Sequence, residues 1–117
     1  MSTWQKGFFD QMYSVFNDRD ADGVLQSMTS DVDWPNGWEG GRVIGKQAVK
    51  DYWERQWGEI EPTVTPLDVT ERPDGKVQVT VLQVVHSKAG ELLSESTVQH
   101  VYGFEGELIN RMDIEEA

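Results

Sequence analysis

Asp18, Asp20 and Asp22 alternate in the stretch DRDADGVLQSMT, with Gly23 directly behind them and Leu25 two residues further on. Oxygen ligands on alternate residues and a glycine at the bend are how a calcium-binding EF-hand loop begins. The twelfth position of such a loop needs a glutamate that grips the ion through both oxygens. Here that position is Thr29, with one weak hydroxyl, and Asp31 stands two residues too far along. The spacing therefore favours a polar turn between two helices, with Asp20 or Asp22 capping the second. His86 and His100 have no carboxylates at zinc-ligand spacing. The absence of cysteine excludes thiolate metal sites, disulfides and a cysteine nucleophile. Neither a glycine-rich phosphate loop nor a G-x-S-x-G elbow occurs, and no cofactor is expected. His100 is the leading candidate for chemistry, since an unperturbed imidazole titrates close to working pH.

The elements that must position these groups can be traced along the 117 residues, a length that predicts one domain over 1–117. Phe8, Met12 and Phe16, with Phe9 and Tyr13, recur every four residues and predict a helix over about 3–17. Val24, Leu25 and Met28 suggest a short second helix. In DVDWPNG, Val32 and Trp34 share one face of a brief strand, with Asp31 and Asp33 on the other. Pro35 to Gly45 is glycine-rich and irregular. Val49, Trp53, Trp57 and Ile60 form the stripe of a third helix, closed by Pro62. Beyond it the period becomes two, with strands at about 64–72, 76–88, 92–105 and 107–115 joined by turns at Gly75, Gly90 and Gly106. Three helices followed by an antiparallel meander is an α+β arrangement, with the helices across one face of the sheet.

A formal charge of −11, from 21 acidic and 10 basic residues, repels phosphate backbones and anionic lipids, so neither nucleic acid nor membrane is expected as a partner. No charged-then-apolar leader and no run approaching 18 apolar residues is present, and a soluble cytoplasmic protein is the default expectation. Five tryptophans, Trp4, Trp34, Trp38, Trp53 and Trp57, suit a thick core or a pocket wall.

The order of these elements, together with DVDWPNG, GKQAVKDYW and HVYGFEGELINRMDI, resembles the SnoaL-like branch of the nuclear transport factor 2-like superfamily, the cystatin-like α+β cone that also includes ketosteroid isomerase. The most specific pieces are Gly45-x-x-Ala48-Val49-x-x-Tyr52-Trp53 and the final hairpin around Gly106, and the resemblance spans nearly the whole chain. It implies three N-terminal helices on a strongly curved antiparallel sheet, enclosing a conical cavity for a small, largely apolar organic molecule. It also implies a homodimer, formed through the sheet's outer face, where Leu82 and Val84 would otherwise be exposed. The fold serves many unrelated activities, so function must be argued from the site.

Within that resemblance His100 stands where the isomerase carries the aspartic acid that donates to the substrate's developing oxyanion. It shares strand parity with Val98, Tyr102 and Phe104, and the equal alternative is a half-buried histidine hydrogen-bonded to a neighbour such as Tyr13 or Tyr102. Trp34 replaces the proton-moving aspartate that precedes the corresponding proline, which makes steroid isomerisation by that route doubtful, and Asp33 falls on the opposite face. Tyr13 lies near the oxyanion-donating tyrosine of the first helix. Trp53 and Trp57 could form an aromatic wall, with Trp38 and Asn36 at the rim. His86 falls on the outer face if alternation holds, and the tail Asp113, Glu115, Glu116 reads as solvated charge. The functional expectation is a cofactor-independent isomerase, cyclase or dehydratase with His100 as acid/base. A binding module and an assembly domain with a vestigial cavity are the alternatives. An open cavity in which His100 meets a second polar group would favour chemistry. A dry cavity with His100 tied to backbone would favour binding, and a filled one assembly.

Overall fold

The computed structural model describes residues 4–37 and 39–116. Helix α1 spans Trp4–Asn17, α2 Ala21–Leu25 and α3 Lys46–Glu59. The strands are β1 Met28–Pro35, β2 Arg42–Ile44, β3 Ile60–Glu71, β4 Val77–Ser87, β5 Leu92–Glu105 and β6 Leu108–Glu116. They form one open sheet in the order β2-β1-β6-β5-β4-β3, and the helices pack on it to give an α+β fold.

The acidic turn is a helix start. Asp20 is the N-cap of α2 and its carboxylate accepts from the Gly23 amide, while Asp22 pairs with Lys50 of α3 at 3.1 Å. Met28 does not continue α2. It opens β1 fully buried, because a side chain at that position must meet the core from the sheet.

Four strands form the expected antiparallel meander, but the sheet is mixed: β1 joins β6 in parallel, with Met28 opposite Ile109 and Asp33 opposite Arg111. The stretch 35–45 also hides the short edge strand β2, which pairs Trp34 with Val43. Pro62 lies inside β3 instead of closing α3. Proline lacks an amide donor, and β3 is an edge strand whose outer side needs none, so both Pro62 and Pro66 are tolerated there. Just past Pro66 the register slips, leaving Leu67 unpaired and exposed.

One core cluster links α1, α2 and α3 to the sheet, with Phe9, Met28, Val49, Trp53, Val79 and Tyr102 all 2% exposed or less. On β4 the alternation holds through Val77, Val79 and Val81, then Gln83 and Val85 continue the same face along the cavity. His86 therefore takes the outer face. The bulge lies across from it in β5, where Leu93 is skipped between the pairs Val85–Ser94 and His86–Leu92.

Candidate functional site

Between the helices and the sheet lies a cavity of about 690 Å³, within the range of small-molecule sites. Three side chains meet on its wall. Tyr13 projects from α1 toward β5, where the two-residue period places His100 and Tyr102 side by side. The Tyr13 hydroxyl lies 3.0 Å from Nδ1 of His100 and 2.7 Å from the Tyr102 hydroxyl, so it is the central member of a three-group chain. All three are buried. Burial pushes the His100 pKa down to about 4 and raises those of Tyr13 and Tyr102. Near neutral pH the trio therefore carries no charge, and each member can give or accept a hydrogen bond.

Around it the wall is aromatic. Trp34 packs edge-on against Trp53 with ring centroids 5.4 Å apart, and lies 6.2 Å from Tyr102. Both tryptophans line the cavity, as do Asn36 and Tyr52. The Asn36 side chain is buried and closes on Glu39: its Oδ1 accepts from the Glu39 amide at 2.7 Å and its Nδ2 donates to the Glu39 carboxylate at 2.9 Å. That carboxylate also holds Arg55 of α3, which fixes the rim. Trp57 does not line the cavity. It stacks on Trp53 at 6.0 Å and meets Phe16 at 5.3 Å inside the core, with Arg19 over its ring. Trp38 lies outside the described residues.

Asp33 is turned away from the cavity, as the strand parity requires, and is bound to Arg42 and Arg111. Asp113 is the correction to the reading of the tail. It lines the cavity, pairs with Arg42 at 3.0 Å and with Arg111 at 2.9 Å, and its hydrogen bond from Arg111 lowers its pKa. Glu115 likewise pairs with Arg72 at 2.8 Å. Arg42 further donates to the carbonyls of Asp33 and Met112, so one guanidinium ties β2 to β1 and β6 at the mouth. Sequence reasoning missed this cluster because its bonded partners lie up to 78 residues apart. It also assigned no role to Tyr52, although the i, i+4 spacing of Tyr52 and Gln56 on α3 turns both to the cavity.

Residues 9–112 match the SnoaL-like domain family, and the chain belongs to it. No curated protein sequence matches the chain significantly. Among solved structures it is similar to TerC co-crystallised with polyporic acid, at 25% identity over 91% of this chain and 85% of that one, with a TM-score of 0.77. An NTF2-like protein of unknown function from Burkholderia pseudomallei shares 22% identity over 100% and 92% of the two chains, TM-score 0.81. RV0760c from Mycobacterium tuberculosis, in complex with estradiol-17beta-hemisuccinate, shares 20% over 86% and 84%, TM-score 0.72. The last two speak for the fold alone.

Proposed function

We propose that the cavity binds a small, largely apolar organic molecule and that His100, as a neutral acid/base, exchanges a proton with it in an isomerase-, cyclase- or dehydratase-type reaction. The observation that carries this reading is the meeting of His100, Tyr13 and Tyr102 on the wall of an open, aromatic-lined cavity. Trp34, Trp53, Asn36 and the ring of Tyr102, whose hydroxyl is committed to Tyr13, are the proposed ligand contacts. The similar TerC structure, co-crystallised with polyporic acid, supports a ligand of this size class. One observation favours a purely binding role instead: Asp113, a carboxylate that lines the cavity, is spent on Arg42 and Arg111. We further propose a homodimer through the sheet face turned away from the cavity. There the outward row of β4, Gln78, Thr80, Leu82 and Val84, is uncharged on a chain of net charge −11.

Titration with a neutral bicyclic ketone, β-tetralone, tests the binding role through quenching of the tryptophan fluorescence of Trp34 and Trp53. Saturable one-to-one quenching, weakened about tenfold or more when Val98→Phe narrows the cavity, is the expected result. Quenching that never saturates, or that ignores Val98→Phe, would contradict it.

A further inference from the structure

The hydroxyl of Tyr102 has one hydrogen-bond partner among the described residues, the oxygen of Tyr13, and its residue is 0% exposed. A buried phenol whose proton has no acceptor is costly, so Tyr102 must donate to Tyr13. All three residues line the cavity, but only Tyr13 and His100 retain exposure, 4% and 6%. Nε2 of His100 makes no hydrogen bond among the described residues. Nor is it one of the fully enclosed unpaired atoms there, which are Arg19 Nη1, Thr29 Oγ1 and Trp57 Nε1, so it opens on the cavity.

With Tyr102 fixed as donor, only two arrangements keep every bond. In the first, Tyr13 donates to Nδ1 of His100, and the ring presents Nε2–H to the cavity. In the second, Nδ1–H donates to Tyr13, the Tyr13 hydroxyl turns to the cavity, and Nε2 presents its lone pair. Donation from Tyr102 strengthens Tyr13 as a donor in turn, so the first is the resting form.

We infer that Tyr13 and His100 are a single proton-exchange unit that passes between these two uncharged arrangements, with Tyr102 as the residue that sets its resting tautomer. The inference rests on the ligand-binding cavity proposed above and specifies its ligand: a neutral molecule carrying an acceptor oxygen beside a carbon with a removable hydrogen. From the resting form, Nε2–H passes its proton to the acceptor oxygen and the Tyr13 proton moves to Nδ1. In the same concerted step the Tyr13 oxygen takes the hydrogen released from the adjacent carbon, so no tyrosinate is left. The ligand is converted to its enol, the unit ends in the second arrangement, and the reverse passage can return the proton to the same or another carbon. Three protons move, none is gained or lost, and no imidazolium forms in a site whose burial opposes one.

Two measurements test it. Nitrogen NMR of the His100 ring needs no ligand. The free protein should rest with the proton on Nε2, and Tyr102→Phe should shift the population toward Nδ1–H. A wild-type ring resting on Nδ1–H, or a tautomer indifferent to Tyr102→Phe, overturns the inference. The second follows deuterium entry at the carbons flanking the carbonyl of β-tetralone in D₂O. Tyr13→Phe and His100→Gln should each slow it about 100-fold or more, and the double variant no further, as for groups acting as a unit. Tyr102→Phe should lower the turnover rate about tenfold while the fluorescence affinity for β-tetralone stays within about threefold. Losses that multiply in the double variant overturn the unit. Binding of β-tetralone without any exchange overturns the proton-exchange inference and leaves the binding role standing, whereas absent binding removes that role and leaves the tautomer result to decide.

Discussion

His100 has exchanged water for the phenol of Tyr13, and burial holds its pKa at about 4, down from 6.5. The shift has a thermodynamic consequence with a definite sign. Between about pH 6.5 and pH 4 the unfolded chain binds a proton that the folded chain refuses. Acidification therefore destabilises the fold across that window, whereas above it the group contributes its full share. The whole effect is of order 3 kcal/mol, at 1.36 kcal/mol per unit of pKa. Urea unfolding of the wild type and of His100→Gln isolates it from the carboxylates, which both share. The wild type should lose stability relative to the variant as pH falls from 7 to 4, and a constant difference would show that His100 keeps its ordinary pKa. His100 was legible as a candidate because strand parity alone fixes which face it takes. Its partner was legible only as a choice between Tyr13 and Tyr102: Tyr13 lies 87 residues away, and only the packing of α1 on the sheet brings the two within 3.0 Å.

At the scale of elements, the last residue of α1 shows how a helix and an edge strand are held in register. The Asn17 side chain donates to the carbonyl of Val64 at 2.8 Å and accepts from its amide at 3.0 Å, acting as a short extra strand beside β3. Both groups are partly buried, so removing the amide leaves a donor and an acceptor unpaired. Asn17→Ala should cost about 1–3 kcal/mol in urea unfolding, and a loss below about 0.5 kcal/mol would contradict the staple. Elements governed by local periodicity, such as α1, α3 and the meander β3–β6, could be read from the sequence. Those governed by distant partners could not. β2 is three residues long in a glycine-rich stretch and is held by Arg42 bonds to Asp33, Met112 and Asp113. The parallel β1–β6 pairing joins segments some eighty residues apart, a contact that no hydrophobic period announces. Pro62 looked like a terminator because its missing amide matters everywhere except on the open side of an edge strand.

For the whole molecule, the charge distribution separates inside from outside. The chain carries −11, yet the groups at the cavity wall, Tyr13, Tyr102 and a neutral His100, bear none, and the two charged residues that line the cavity among those described, Arg42 and Asp113, pair with each other. Such a protein favours neutral ligands over anions that must cross its field. The uncharged outer row of β4 leads to a second expectation, a sedimentation mass of two chains at micromolar concentration; a single-chain mass would refute the dimer. The most direct measurement of all is a crystal structure of the complex with β-tetralone. The ligand should lie in the cavity against Trp34 and Trp53, with its carbonyl oxygen about 2.6–3.2 Å from Nε2 of His100. A ligand seated outside the cavity, or inside it with its oxygen turned from both His100 and Tyr13, would contradict the account.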